Sequence, residues 1–229
     1  MNHEFDQFAK EYRGINDDAL KLTGESSSFF AEYKAKKLKE WLPEKVNQPV
    51  RMLDFGCGDG VMTAFVQHAF NKASMHGIDP SSESIEVAAE RFPRISFSTS
   101  EGLTINFEDN HFDVVYAAGA FHHIPFEDHD AYVAEIKRVL KPGGVFVLFE
   151  LNPWNPVTVY IFNRNPIDQT AKMMPRSYSE QLLKTVGPVS TKFYSFYPGF
   201  LRWLRPTERF MTKIPFGALY ACLVEKKAE

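Results

Sequence analysis

The chain has 229 residues, of which 44% are hydrophobic and 24% charged, and its net charge is −3. These values are typical of one soluble globular domain and argue against a disordered chain or a general nucleic-acid binder. No apolar run approaches the roughly 20 residues of a membrane span. The two cysteines and the absence of a signal-peptide core predict a reducing, cytoplasmic location without disulfides.

The charge is distributed unevenly along the chain. Residues 152–229 contain 11 Lys and Arg against 5 Asp and Glu, a net charge of +6, so residues 1–151 carry −9. Ordinary surface solvation is one explanation of this difference. The alternative is that the C-terminal part contacts an anionic acceptor or a membrane surface.

Residues 1–48 are predicted to form an N-terminal helical cap. Apolar side chains recur there at helical spacing, first at Phe5, Phe8, Ala9 and Tyr12, then at Phe29, Phe30, Tyr33, Ala35, Leu38 and Trp41. A serine among residues 26–28 is expected to cap the second helix, and Pro43 is expected to end it.

Residues 49–151 are predicted to alternate between strands and helices. The strands are expected near 51–55, 74–78, 95–98, 112–117 and 144–150, and the helices near 60–70, 82–91 and 128–140. With two further strands near 191–197 and 217–225, this pattern predicts an α/β fold with a doubly wound, mostly parallel seven-stranded sheet and helices on both faces. In such a sheet, ligands bind at the carboxyl ends of the strands.

The first predicted strand leads into a loop with glycine at every second position, at Gly56, Gly58 and Gly60. Glycines allow the backbone to bend tightly and to approach a ligand closely, because they have no Cβ. The second strand ends in Asp79, at the position where a Rossmann-type domain binds a ribose diol. The two features together indicate a cofactor that contains a nucleoside.

The spacing of the glycines distinguishes among such cofactors. A dinucleotide loop requires a third glycine at the position of Val61, and a phosphate-binding P-loop requires Gly-Lys-Ser/Thr, which is absent. Asp54 and Asp59 make the loop acidic, which suits a cation better than a pyrophosphate. S-adenosylmethionine carries a sulfonium, an ammonium and a ribose diol, and it has no phosphate.

Five segments resemble, in order, the motifs of the class I S-adenosylmethionine-dependent methyltransferases. They are LDFGCGDG at 53–60, GIDPS at 77–81, SEG at 100–102, FDVVYAAGAFHHI at 112–124 and VLKPGGVFV at 139–147. The resemblance covers residues 50–151 and implies a Rossmann-like methyltransferase fold, with S-adenosylmethionine as cofactor and S-adenosylhomocysteine as product. In two places the chain departs from the family, since Glu101 replaces a frequent Asp and Ala118 a frequent Asn.

The resemblance also implies a set of cofactor-binding residues. These are Asp54, Gly56, Cys57, Gly58, Gly60, Asp79, Pro80, Glu101, Gly102, Ala117, Ala118, Phe121 and His122. Residues 5–12 are similar to an N-terminal segment that lies across the cofactor site in relatives, which adds Tyr12 as a lid residue. Cys57 is interpreted as a small packing residue of the loop and not as a nucleophile.

Residues 152–229 are predicted to supply the loops of the acceptor pocket, a last helix and the two terminal strands. Pro153 and Pro156 exclude regular structure at the start of this part, which is either a roof over the pocket or a connecting loop. The segment 198–216 mixes aromatic, aliphatic and arginine residues. It is interpreted as a membrane-surface segment, as a hydrophobic lid, or as a helix packed on the sheet edge.

Methyl transfer from a sulfonium is an in-line displacement, which requires alignment and exclusion of water. A base is needed only if the acceptor must lose a proton, and His122 and His123 are the candidates. The alternative is that one histidine packs behind the cofactor and the other binds the following loop. No spacing of histidines and carboxylates suggests a metal site.

The chain is therefore predicted to be a single methyltransferase domain, 1–229, that methylates an oxygen, a nitrogen or a carboxyl group of a small-molecule or lipid-linked acceptor. One alternative is a non-catalytic regulatory or partner protein that binds S-adenosylmethionine. A nicotinamide-dependent oxidoreductase is disfavoured by the loop spacing and by the lack of a catalytic Tyr-x-x-x-Lys. No nucleic-acid partner is expected, and the oligomeric state is left open.

Overall fold

The computed structural model describes Asp6, Ala9 and residues 11–227. The helices are α1 (Tyr12–Leu20), α2 (Ser27–Trp41), α3 (Val61–Ala69), α4 (Ser82–Arg91), α5 (His129–Val139), α6 (Pro156–Phe162) and α7 (Arg176–Leu183). The strands are β1 (Arg51–Phe55), β2 (Ser74–Asp79), β3 (Ser96–Thr99), β4 (Phe112–Ala118), β5 (Leu140–Leu151), β6 (Val189–Tyr194) and β7 (Leu219–Glu225).

The seven strands form one sheet in the order β3-β2-β1-β4-β5-β7-β6. Strands β1 to β5 pair in parallel, whereas β7 runs antiparallel to both of its neighbours. The strand order reverses direction between β1 and β4, so their carboxyl ends open a crevice at the topological switch point. The predicted fold class is confirmed, and β5 begins earlier than expected because Leu140 already pairs with Phe112.

Both faces of the sheet are covered. One core places α2 and α3 against the sheet around Leu38, Val66 and Phe149, and the other places α5 and α7 around Ile136, Leu183 and Phe146. Near-continuous apolar strands such as β4 are what a parallel sheet buried on both faces requires. This rigid scaffold fixes the positions of the loops at the strand ends.

The described part of the N-terminal cap is helical. Ser26 caps α2, since its side chain accepts a hydrogen bond from the backbone N–H of Phe29. Helix α2 ends at Trp41, two residues before Pro43, close to the predicted boundary. Phe5 and Phe8, which belong to the predicted first helix, lie outside the described residues.

The segment 198–216 begins with a 3₁₀ helix, Gly199–Phe210, which has one packed and one exposed side. Buried Glu208 anchors it by accepting hydrogen bonds from the Tyr33 hydroxyl and the Phe196 backbone N–H. On the other side, Phe200, Trp203 and Phe210 are each more than two-thirds exposed. None of the helices in the described part of the chain combines the length and apolar character needed to cross a bilayer.

Candidate cofactor and acceptor site

A cavity of about 610 Å³ lies at the carboxyl ends of β1, β2, β4 and β5, within the usual size range of small-molecule sites. Most of the residues predicted from the sequence line it. They are Tyr12, Asp54, Gly56, Cys57, Gly58, Asp79, Pro80, Glu101, Gly102, Ala118, His122 and His123. The cavity is thus where the strand pattern places a ligand.

Three predicted cofactor residues do not line the cavity. Gly60 caps α3 in a left-handed conformation and faces the Phe97 ring. Ala117 and Phe121 are fully buried in the core, where Phe121 packs against Phe55. These three residues pack beneath the site, and only their neighbours in sequence line the cavity.

The glycine loop forms a tight turn, and at two of its positions the backbone conformation requires glycine. Gly56 has φ +76° and Gly58 has φ +50°, and a Cβ on Gly56 would lie 2.4 Å from the Cβ of Ala120. The backbone N–H groups of Gly56 and Cys57 both donate to the Ile78 carbonyl, at 2.8 and 3.0 Å. The loop is therefore fixed against β2 with its backbone exposed to the cavity.

Asp79 links this loop to helix α4. Its carboxylate accepts hydrogen bonds from the backbone N–H groups of Gly58, at 2.8 Å, and Ser81, at 3.0 Å. Burial raises the pKa of Asp79, although these two hydrogen bonds oppose the shift. Because burial makes the charged form of this carboxyl group costly, ligand groups that donate hydrogen bonds to it would stabilise that charged form.

Asp54 is a second buried carboxyl group on the cavity wall. It accepts hydrogen bonds from the hydroxyls of Thr63, at 2.7 Å, and Tyr116, at 3.0 Å. Burial raises the pKa of Asp54 to about 7, although both hydrogen bonds oppose the shift. Because this group is half-ionised near neutrality, a cation placed beside it would draw it into the charged form.

The helical cap is attached to the glycine loop by a charged cluster that the sequence analysis did not predict. Arg13 on α1 forms a bidentate salt bridge with Asp59, in which Nε and Nη2 donate to the two carboxylate oxygens at 2.8 and 2.6 Å. Arg91 donates to the same carboxylate at 2.8 Å. Such bidentate pairs fix geometry as well as charge. They attach α1 to the cofactor loop, and the neighbouring Tyr12 lines the cavity, while its role as a lid residue stays a prediction.

Cys57 contributes no reactive group to the loop. Its thiol is buried, and burial raises the pKa of Cys57 well above its usual value. A protonated thiol is a poor nucleophile. The geometry agrees with the interpretation of Cys57 as a packing residue.

At the far end of the cavity, the two histidines meet two carboxylates that sequence spacing did not reveal. His122 Nδ1 lies 2.7 Å from Glu150, and His122 Nε2 lies 3.6 Å from Asp168. Asp168 is also 3.4 Å from His123 Nε2. Glu150 is the penultimate residue of β5 and Asp168 ends a 3₁₀ turn, so only the fold brings them together.

The two histidines have opposite electrostatic environments. Burial by itself lowers the pKa of His122, but the Glu150 and Asp168 charges raise it to about 10. Burial and the adjacent His122 lower the pKa of His123 to about 3. An efficient general base has a pKa near the working pH, so neither histidine is suited to that role near neutrality.

An apolar wall lines a further part of the cavity. Its residues come from the cap, from helix α6 and from β7, and none of them was among the predicted cofactor-binding or catalytic residues: Phe30, Ala31, Val157, Ile161, Phe162 and Leu219. Helix α6 follows the Asn155 cap, whose side chain accepts the Thr158 N–H. The proline-rich segment before it connects β5 to this wall without lining the cavity itself, as the alternative of a connecting loop predicts.

Residues 52–144 match the family described as "Methyltransferase domain". Over 161 residues the chain is 27% identical to the phthiotriol/phenolphthiotriol dimycocerosates methyltransferase of Mycobacterium tuberculosis, which covers 67% of this chain and 58% of that protein. Over 210 residues it is 28% identical to a sterol 24-C-methyltransferase of Clavispora lusitaniae, with coverages of 80% and 54%. A solved S-adenosylmethionine-dependent methyltransferase of Thermotoga maritima has a TM-score of 0.69 at 16% identity and covers 99% of this chain and 100% of that one.

The chain carries a class I S-adenosylmethionine-dependent methyltransferase domain. The family match and the shared fold confirm the resemblance found in the sequence, together with S-adenosylmethionine as the cofactor of the domain. They argue against the nicotinamide-dependent alternative. The chain spans 58% and 54% of the lengths of the two curated relatives, so the acceptors in their names remain properties of those proteins.

Proposed function

We propose that the protein is an active methyltransferase that uses S-adenosylmethionine to methylate an apolar or amphipathic acceptor. The observation that carries this proposal is one cavity that joins the glycine loop and Asp79 to the apolar wall of α6 and the cap. A protein that only binds the cofactor needs the part of the cavity at the glycine loop and Asp79, but it does not need the apolar wall. The names of two relatives, which refer to a mycobacterial lipid and to sterols, support an acceptor of this class.

The donor set of the cavity fits the cofactor. Asp79 offers acceptors for the ribose hydroxyls, the Gly56 and Gly58 backbone permits close approach, and Asp54 offers a negative charge to the cationic methionine end. Glu101 and Gly102 extend the cavity on the adenine side. When bound, S-adenosylmethionine supplies a methyl group that is already activated by its positive sulfur.

The residues of this chain would then act mainly by alignment. Tyr12 and the Arg13–Asp59 contact close the cap over the cavity and exclude water. The apolar wall orients the acceptor so that its oxygen or nitrogen faces the methyl group. We propose His122 and His123 as positioning residues of the acceptor end.

The first experiment is isothermal titration calorimetry with S-adenosylmethionine, S-adenosylhomocysteine and NADH, followed by a transfer assay with methyl-labelled cofactor and a lipid extract. We expect micromolar binding of both sulfur nucleosides, no binding of NADH, and label in the lipid fraction. Binding without label in any apolar acceptor would favour the non-catalytic alternative. Binding of NADH alone would contradict the methyltransferase.

Cofactor affinity is expected to rise with pH through the titration of Asp54. In the unliganded protein the pKa of Asp54 is about 7, and a bound cation lowers it. Binding below pH 7 must therefore release a proton, and affinity falls by up to about fivefold on going from pH 7 to pH 6. Calorimetric Kd values across pH 6–8 measure this slope.

The control for this prediction is Asp54→Asn, which keeps an oxygen for the Thr63 and Tyr116 hydroxyls but cannot ionise. Titration of the cofactor's own amino group is common to both proteins, so only the difference between their slopes reports Asp54. Equal slopes in the two proteins would show that Asp54 does not sense the bound cation.

We further propose that the segment 198–216 contacts an anionic membrane surface, from which a lipid-linked acceptor could enter the cavity. Its aromatic side chains are exposed, and Arg202, Arg209 and Lys213 are exposed beside them. Trp154, which precedes α6, and Tyr160, which lies on it, are also exposed, although neither lines the cavity. Aromatic rings beside cations are typical of peripheral membrane-binding surfaces.

Sedimentation with vesicles tests this surface. We expect binding to vesicles that contain phosphatidylglycerol, weaker binding at high salt, and little binding to neutral vesicles. Trp203→Ser should weaken binding about tenfold, and Arg209→Ser about fivefold. Lys36→Ser removes another exposed cation, which pairs with Glu32 at 2.8 Å on α2, and serves as the control. Equal effects of Lys36→Ser and Arg209→Ser would contradict a localised surface.

A further inference from the structure

The histidine–aspartate cluster at the acceptor end has the geometry of a metal site. Oδ1 of Asp168 lies 3.6 Å from Nε2 of His122 and 3.4 Å from Nε2 of His123. One such atom from each residue falls within 4.8 Å of the others. Tetrahedral zinc with bonds of about 2.0–2.1 Å separates its ligand atoms by about 3.3 Å, so a small movement would complete the site.

We propose that His122, His123 and Asp168 bind one zinc-like divalent cation at the acceptor end of the cavity. Two imidazole nitrogens and one carboxylate oxygen are a typical ligand set of zinc sites that keep one position open. Magnesium prefers an all-oxygen environment and is excluded by the same chemistry. The proposal adds a metal where the sequence predicted none, because Asp168 is remote from the histidine pair in the chain.

The surroundings of the ligands support this assignment independently of the ligands themselves. The carboxylate of Glu150 lies 2.7 Å from Nδ1 of His122. With Nδ1 turned toward Glu150, Nε2 is the ring atom that faces Asp168, and a metal ion would displace the proton held there. Metal-binding histidines nearly always have such a carboxylate or carbonyl partner on the second ring nitrogen.

Asp168 is oriented in a similar way. Its Oδ2 accepts a hydrogen bond from the Asn165 side chain at 2.9 Å, which leaves Oδ1 directed at the two histidines. The Asn165 side chain also donates to Asn16 on α1, at 3.1 Å. The carboxylate is therefore held in place by the cap and does not depend on a metal ion for its position.

The location gives the ion a role that rests on the proposed function. All three ligands line the cavity, so a hydroxyl group of the acceptor can occupy the open position. The ion would orient the hydroxyl oxygen and lower the pKa of the hydroxyl, so that its proton passes to solvent, the methyl group moves from sulfur to that oxygen, and S-adenosylhomocysteine leaves.

Calorimetric titration of the chelator-treated full chain with ZnCl₂ tests the site without any methyl transfer, with MgCl₂ as the hard-cation comparison. We expect one zinc ion per chain and no saturable magnesium binding. His123→Ala and Asp168→Asn should each weaken zinc binding by at least about tenfold, and Glu150→Gln by about 10–100-fold. His68→Ala, which removes an exposed histidine on α3, should leave zinc binding unchanged.

Each variant is also titrated with S-adenosylmethionine, which shows that it is folded and separates the two proposals. If the wild-type protein binds the cofactor but no zinc, the metal site is wrong and His122 is a cation bridging two carboxylates. Zinc binding that persists unchanged in both His123→Ala and Asp168→Asn, or that His68→Ala abolishes, would also overturn the site. Absent cofactor binding with intact zinc binding would instead contradict the proposed function.

Discussion

Replacing Gly56 with alanine is expected to abolish measurable cofactor binding and to lower the free energy of unfolding by about 2–5 kcal/mol. The added Cβ would lie 2.4 Å from the Cβ of Ala120, which is backbone-anchored and cannot rotate away. The residue would also keep a φ near +76°, which costs a non-glycine residue about 1–2 kcal/mol. Relief of both strains would move the loop into the space that the cofactor occupies.

Thermal unfolding and calorimetry of three variants separate these causes. Gly14→Ala is the matched control, since a Cβ on Gly14 meets nothing within 4 Å and alanine favours the α1 helix. The double variant Gly56→Ala/Ala120→Gly removes the clash but retains the backbone strain, and it should recover part of the lost stability. Full cofactor affinity in Gly56→Ala would disprove the close approach of this loop to the ligand.

Replacing Asp79 with alanine is expected to weaken S-adenosylmethionine binding by about 1–3 kcal/mol, a Kd increase of about fivefold to 150-fold. The change removes the acceptors proposed for the ribose hydroxyls. It also frees the Gly58 and Ser81 N–H groups that the carboxylate now holds. S-adenosylhomocysteine carries the same ribose, so its affinity should fall by the same factor in a parallel titration.

Asp113→Ala provides the matched control for Asp79→Ala. Asp113 also accepts a backbone N–H, from Arg51 at 2.9 Å, and pairs with Lys141 at 2.7 Å. It lies near the amino-terminal end of β4, whereas the cavity lies at the carboxyl ends of the strands. Asp113→Ala should therefore lower the melting temperature without changing cofactor affinity. A similar loss of affinity in both variants would mean that Asp79 acts only through stability.

The architecture was predictable because its signals are local. The alternation of apolar strands with amphipathic helices is visible in short windows and predicts a parallel sheet. The positive φ angles of the cofactor loop require glycine, so its shape is visible in the spacing of Gly56 and Gly58. Asp79 was predictable for the same reason, since it follows a strand whose end must face the ligand.

The sequence by itself therefore determined the sheet, the cofactor loop and the family to which they belong. Only the tertiary structure decided the acceptor end, because its contacts join residues that are distant in the chain. His122 meets Glu150 across 28 positions, and Arg13 meets Asp59 across 46. The pKa values of Asp54 and the two histidines arise from burial and from these charges, which no local pattern encodes.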